Sequence, residues 1–241
     1  IEDVLARAGT DAALRGRLEY AAGARDFAMT ELGLPDNGSY RSYADLGRRY
    51  ATWNLFAAPE FSVQPKRWCF PVAGCVNYRG YFDEERAARA ARRQQKRGLD
   101  VHVGPSIAYS TLGHLQDPVL NTMLGYGDAE LAAFIIHELA HQAVYAPSDS
   151  DFNEAFATVV ETEGLRRWLA RVERTAELDA FLSARDRQQA MAEKMVETRA
   201  RLAMLYTSGA AEHELRAAKA AELARLSAFL KSDGLAVNGD L

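Results

Sequence analysis

The strongest chemical signal in the sequence is a histidine–glutamate–histidine pattern inside one short apolar segment. Residues 134–145 read FIIHELAHQAVY, which places His137 and His141 four residues apart and Glu138 directly after the first histidine. Positions four residues apart share one face of an α-helix, so both imidazoles can bind a single ion. Zinc held in this way lowers the pKa of a coordinated water, and Glu138 is placed to accept the proton as a general base. The spacing therefore predicts hydrolysis at one Zn²⁺ ion.

The residues around this pattern indicate that its helix is buried, because they are apolar on nearly every side. Two histidines and a glutamate are costly to bury unless they are paired or coordinated. The alternative interpretation is a pair of core histidines that hydrogen-bond to backbone carbonyls. That interpretation is the usual one for a lone histidine, whereas this group of three favours a metal.

A hydrolytic zinc site needs a third protein ligand and a fourth position open to water. A histidine six residues after His141 would be one source, but Pro147 stands there. We predict Glu154, in the segment FNEAFA, as the third ligand, because a short polar turn before it lets two helices pack antiparallel. Glu161 is the rival ligand. It shares a helix face with Glu154 and Thr158. If Glu154 is the ligand, Glu161 is therefore predicted to orient a ligand histidine.

The two helices that must position these residues have recognisable limits. Gly127 and Asp128 are predicted to start the first helix, and Pro147 ends it. Asp151 is placed to cap a second helix that begins at Phe152.

Elsewhere the pattern predicts one or two amphipathic helices over 1–32 and a helix through Trp53 and Phe56, capped by Ser39 or Ser42. Segments 61–82 and 99–113 favour strands, and the intervening basic stretch is predicted to be the solvated face of a helix.

Composition excludes several classes of protein. The 241 residues are 48% hydrophobic, which suffices for a sizeable core, and the net charge of −4 offers no electrostatic footprint for nucleic acid. No apolar run is long enough to span a membrane. The chain begins with Ile1, which is compatible with the loss of a signal sequence or lipid anchor upstream. Cys69 and Cys75 fit a disulfide-closed turn, and two buried thiols fit the same spacing.

Several segments together resemble a known group of proteins. HELAHQ followed by NEAFA resembles the gluzincin clan of zinc peptidases, in which a glutamate on the second helix is the third ligand. WCFPVAGCVNYRGYFDE (68–84), AYSTLG (108–113) and DPVLNT (117–122) add a resemblance to the predicted zinc aminopeptidases of the bacterial cell envelope, as does ELGLPDNGSYRSYADLGR (31–48). The resemblance covers most of the chain, up to the C-terminal hairpin.

The resemblance implies a peptide substrate, a periplasmic or outer-membrane-anchored bacterial protein, a lipid anchor on a missing N-terminal segment, and a Cys69–Cys75 disulfide. Classical gluzincin aminopeptidases share a Gly-x-Met-Glu-Asn segment whose glutamate binds the substrate amine, and no such segment occurs here. Asp83 or Glu84 could take that part. The zinc-site residues predict peptide hydrolysis, and the resemblance adds cleavage at the amino terminus.

The expected fold is α+β and predominantly α-helical, with a zincin-like active-site helix pair beside a small sheet and a long C-terminal helical hairpin. We expect a single domain over 1–241, divided into N-terminal helices (1–60), a small sheet region (61–127), the active-site helices (128–174) and the helical hairpin (175–241).

Two further roles are predicted for residues outside the zinc cluster. Residues 106–113 are the candidate edge strand for substrate binding. Tyr206 and Tyr109 are the candidate oxyanion-stabilising residues, with His213 third. Two alternative functions share the same ligands: a non-catalytic envelope protein with a structural zinc, and a zinc amidase that acts on cell-wall peptides. A fourth side chain on the metal would favour the structural site.

Overall fold

The computed structural model describes residues 1–70, 74–111, 115–147 and 149–232. It confirms the predicted fold class, an α+β protein that is mainly helical with small sheets. None of the helices in these ranges combines the length and hydropathy that a bilayer-spanning helix requires.

The elements follow one another along the chain with clear bounds. The helices are α1 (Glu2–Leu5), α2 (Ala12–Thr30), α3 (Glu84–Gln95), α4 (Asp128–Ala143), α5 (Ser150–Arg171), α6 (Ala176–Tyr206) and α7 (Glu212–Ser232). The strands are β1 (Tyr43–Ala44), β2 (Thr52–Pro59), β3 (Trp68–Phe70), β4 (Gly74–Val76), β5 (Arg79–Tyr81), β6 (Leu99–Ser106) and β7 (Val119–Leu120).

The chain divides into two compact units. The first unit comprises Ile1–Ala51 and Ser106–Phe181, and the second comprises Thr52–Pro105 and Leu182–Leu241. The division into two compact units does not test the expectation of a single domain over 1–241 with four regions, which stays a prediction.

The core of the first unit is built around α4. Leu131, Ile135, Ile136 and Leu139 are almost fully buried and pack in one cluster with Leu18 of α2. Spacings of three and four residues put these side chains on a broad apolar face, which α2 and α5 cover. The predicted burial of the helix that carries the histidines is therefore confirmed. The short strands β1 and β7 pair in parallel in the same unit.

The helix predicted through Trp53 and Phe56 is wrong, because both residues lie in strand β2. Along β2 the buried Leu55 and Ala57 alternate with the exposed Phe56, which is the two-residue period of a strand. β2 lies between β5 and β6 in a three-stranded sheet of the second unit, and Trp53 pairs with Tyr81 of the antiparallel β5. A short apolar run of this kind fits helix and strand equally well until its partners are known.

The strand expected over 106–113 is also wrong, since only Ser106 belongs to β6 and residues 107–111 have no regular structure. Residues 112 and 113 of that candidate lie outside the described residues. In the same unit as β6, strands β3 and β4 form an antiparallel pair in which Cys69 lies opposite Cys75, and the two are joined by a disulfide. This confirms one of the two interpretations of the cysteine spacing.

The C-terminal helical hairpin is present as α6 and α7, and the last predicted residues, 233–241, lie outside the described ones. Arg201 Nε of α6 lies 2.7 Å from Glu222 Oε2 of α7, and Lys194 lies over the ring of Phe229. These contacts align the two helices antiparallel. Gly209, with φ +76°, supplies the left-handed residue in the turn between them.

Candidate metal centre

The turn between α4 and α5 is closed by side chains of α5. Asp149 is the N-cap, and its Oδ1 accepts a hydrogen bond from Phe152 N at 3.0 Å, so the prediction of Asp151 as the cap is wrong. The helix starts two residues earlier than predicted, since an aspartate caps from either position in such a run. Asn153 is buried and bonds Ala146 twice, accepting from its N at 2.7 Å and donating to its O at 2.9 Å.

A glycine in α5 permits the close approach of the helices. A Cβ on Gly164 would lie 2.7 Å from the Leu32 side chain and 3.0 Å from the Ile136 side chain. Any larger residue would therefore push α5 away from α4. The glycine lies one turn after Glu161, and so it sets the helix spacing close to the site.

The predicted ligands are brought together across this helix pair. His137 Nε2 lies 3.1 Å from His141 Nε2 and 3.4 Å from Glu154 Oε2. His141 Nε2 lies 3.5 Å from Glu154 Oε1. One ligand atom from each residue falls within 4.8 Å of the others, so the group could hold a metal ion. The glutamate is exposed while His141 is buried, which leaves the cluster open on one side.

The separation of the two histidine nitrogens fits a tetrahedral metal site, and each carboxylate oxygen of Glu154 lies near one of them. With bonds of about 2.0–2.1 Å to zinc, ligand atoms at tetrahedral corners lie about 3.3 Å apart. The protonation pattern of the two ring nitrogens of His137 also favours a metal. Glu161 Oε2 lies 2.8 Å from His137 Nδ1, and a carboxylate can only accept there. In the neutral imidazole of His137 the proton therefore sits on Nδ1, and Nε2 carries a lone pair. This lone pair faces Nε2 of His141, and a cation bound between the two nitrogens would stabilise the arrangement.

Glu161 contacts His137 from the neighbouring helix. It is buried, as expected for a carboxylate that orients a ligand histidine. Burial alone lowers the pKa of His137, but the hydrogen bond and charge of Glu161, with the carboxylates of Glu138 and Glu154, raise it above its usual value. Thr158 is half-buried on the same helix face. His141 differs, since its buried Nδ1 has no hydrogen-bond partner among the described residues.

Glu138 follows His137 on α4 and is not one of the three clustered ligands. Burial raises the pKa of its carboxyl group, while a hydrogen bond from Ser110 and the nearby His137 and His141 act in the opposite direction. The carboxyl group is thus partly buried near the two histidines. A raised pKa makes a carboxylate a stronger proton acceptor, which suits a general base.

Replacement of Glu161 by leucine should weaken binding of added Zn²⁺ by about 10–100-fold, because the His137 ring loses the group that orients it. Glu161→Gln should lose less affinity for Zn²⁺, since the amide oxygen still accepts a hydrogen bond from His137 Nδ1–H. Competition with a chromophoric chelator measures both affinities. Wild-type affinity in the leucine variant would contradict the orienting role.

The remaining candidate residues belong to several different elements. Tyr109 is exposed in the first unit, in the segment without regular structure. Tyr206 ends α6 in the second unit, where its ring lies edge-on to Phe61 with 5.8 Å between centroids. His213 lies in α7, and Asp83 caps α3 through Arg86 N. Glu84 is the first residue of α3. The roles proposed for them stay predictions.

Sequence analysis did not identify the residues that are remote from the histidine segment in sequence but lie near it in the structure. Tyr40, Ser110 and Asp117 are among them, and no spacing singles them out. Asn153 carried a usable signal, because an asparagine beside a polar turn commonly bonds to nearby backbone groups.

Comparison with known proteins identifies the family of the chain. Residues 1–236 match a protein-family model described as "Putative aminopeptidase". No curated protein and no solved structure matches the chain. Since the family model covers nearly all of the sequence, the chain belongs to this putative aminopeptidase family.

Proposed function

We propose that this protein is a zinc-dependent peptidase of the gluzincin type, which removes residues from the amino terminus of peptides. The observation that carries the proposal is the cluster of His137, His141 and Glu154, with Glu138 next to it in the sequence and outside the ligand set. Membership of the putative aminopeptidase family supports the choice of substrate. Two histidines and one carboxylate are the ligand set of hydrolytic zinc, which keeps a coordination position for water.

A bound zinc ion would supply Lewis acidity, which lowers the pKa of water and polarises a carbonyl oxygen. Glu138 would accept a proton from the attacking water and return it to the leaving amine nitrogen. Glu161 would hold the His137 ring in one orientation through Nδ1. The side chain of Glu154 is 66% exposed, so a peptide would reach the ligands from its side of the cluster.

This function can be tested on paired peptide libraries, one with free and one with acetylated amino termini. The zinc-loaded protein should release residues from the free peptides alone, and a chelator should stop the release until zinc is restored. Equal cleavage of both libraries would replace the aminopeptidase proposal by an endopeptidase. Cleavage of neither would contradict peptide hydrolysis.

The disulfide between Cys69 and Cys75 supports a location outside the cytoplasm, because such bonds persist in oxidising compartments. We therefore propose that the protein works in the bacterial periplasm or anchored at the outer membrane. Thiol labelling of the protein in fractionated cells would contradict this if both cysteines reacted without a reductant.

A further inference from the structure

A pocket of about 290 Å³ lies in the first unit, beside the segment that leads into α4. Three segments of that unit form it, the loop after β1, the residue after β6 and the connection from β7 to α4. Its lining residues are Arg48, Arg49, Tyr50, Ile107, Asn121, Thr122, Gly125 and Tyr126. The volume is close to the lower end of the range of ligand pockets, about 300–1,000 Å³. We call this site the arginine pocket.

The arginine pocket is separate from the candidate metal centre. It lies at the start of α4, whereas His137 lies in the second half of that helix. A helix rises about 1.5 Å per residue, so the path along α4 from Asp128 to His137 is roughly 14 Å. No residue of the metal cluster lines the pocket. A ligand in the arginine pocket would therefore not be a ligand of the metal.

Positive charge dominates the arginine pocket. Two arginines line it, and none of its described lining residues is acidic. Asp128 follows Tyr126 closely in the sequence, but its Oδ2 is paired with Arg174 at 2.6 Å. Arg49 has no carboxylate partner among the described residues, and its guanidinium lies over the ring of Tyr50, 5.3 Å from the centroid. In a chain with a net charge of −4, this is a local site for a negatively charged ligand.

Asn121 fixes the loop that carries the two arginines. Its Oδ1 accepts from Leu46 N at 2.9 Å, and its Nδ2 donates to the carbonyl oxygen of Arg48 at 3.0 Å. Arg48 Nη2 donates to the carbonyl oxygen of Ala51 at 2.9 Å, which holds that guanidinium against the backbone. Gly47, with φ +61°, supplies the left-handed residue that the loop requires. The loop is therefore ordered without a ligand, which lowers the entropic cost of binding one.

The other lining segments are fixed as well. Thr122 is buried, and its hydroxyl donates to the carbonyl oxygen of Ile107. Arg17 Nη2 donates to the carbonyl oxygen of Tyr126 at 2.6 Å. The side chain of Tyr126 is 48% exposed, so its ring is accessible at the pocket. Together with Ile107, it gives the pocket apolar surface beside the cationic groups.

We propose that the arginine pocket binds a small organic anion whose carboxylate or phosphate group pairs with Arg49 and Arg48. A guanidinium presents parallel N–H donors that match two oxygens of either group. Tyr126 and Ile107 would contact the apolar body of the ligand. Both arginines are exposed, and solvent weakens ion pairs at such positions, so we expect a dissociation constant of about 1 mM. The site goes beyond the proposed function and does not depend on it.

Titration of the full chain, followed by backbone amide NMR shifts, tests the proposal with three probes: phenyl phosphate, benzoate and inorganic phosphate. At least one of the organic probes should bind the wild type and shift the amides of residues 46–50 and 121–126. Arg49→Glu should weaken this binding by at least about tenfold. Arg49→Lys should weaken it less, because lysine keeps the charge and loses only the paired donors. Arg7→Glu is the matched control at an exposed arginine of the same unit outside the pocket, and it should bind as the wild type does.

The probes also identify the anionic group. Tighter binding of phenyl phosphate than of benzoate would assign a phosphate, and the reverse order would assign a carboxylate. Absence of binding by both organic probes up to about 10 mM, binding of inorganic phosphate alone, shifts confined to other residues, or unchanged affinity in Arg49→Glu would each overturn the proposal. A wild-type protein that cleaves no peptide would contradict the proposed function and leave this result as it stands.

Discussion

With Glu138 replaced by glutamine, the protein is expected to keep its zinc and to lose peptide hydrolysis by a factor of at least about 100. Glutamine has nearly the same shape, so Ser110 can still bond to it and the fold of α4 is undisturbed. Its amide cannot accept the proton of the attacking water. Zinc stays because the ligand atoms belong to His137, His141 and Glu154.

The measurement combines kcat/KM on a cleaved peptide with metal content by mass spectrometry. Glu130→Gln is the matched control, because it makes the same chemical change at an exposed position of the same helix. The control should retain both activity and zinc. If Glu138→Gln hydrolysed peptides at the wild-type rate, Glu138 could not be the general base. Loss of zinc along with activity would instead make Glu138 part of the metal site.

The second large effect is expected for Glu154→Ala, which should lower zinc affinity by at least about 100-fold, beyond the loss typical of a residue that only orients a ligand. Glu154 closes the group of ligand atoms at 3.4 Å from His137 Nε2 and 3.5 Å from His141 Nε2. Its side chain is 66% exposed, so truncation leaves the buried contacts of α5 in place. The variant should therefore fold normally and bind metal poorly.

Zinc titration against a competing chelator checks this, with the unfolding temperature of the metal-free protein as the test of folding. Glu163→Ala is the matched control on α5, where Glu163 pairs with Arg166 at the surface. It should bind zinc as the wild type does. Full occupancy in Glu154→Ala would show that the third ligand is elsewhere, and Glu161 would then be the first candidate because it already contacts His137.

The residues of the candidate metal centre were predictable because their relation is local. His137 and His141 are one turn apart on a helix that its apolar neighbours mark clearly, and Glu154 follows across a short turn. The structure brings these residues together as the sequence predicted. Glu161 was also within reach of the sequence, since the face it shares with Glu154 follows from helical spacing.

The supporting residues could not be predicted because their contacts are long-range. Tyr40 packs against Phe134 of α4 from a segment about 90 residues away in the sequence, and no periodicity encodes such a contact. The error at Trp53 and Phe56 has a similar origin. Only the pairing of β2 with β5 and its place beside β6 decide between helix and strand there.

The two hydrogen bonds between Asn153 and Ala146 have a consequence for metal exchange. They close the turn that aligns α4 with α5, and no ion takes part in them. Small metal-binding domains such as zinc fingers unfold when the ion leaves, because the ion itself holds the chain together. Here side-chain and backbone groups alone close the turn that precedes Glu154. As the zinc peptidase that we propose, the protein should therefore stay folded when a chelator removes its ion and regain activity when zinc is restored.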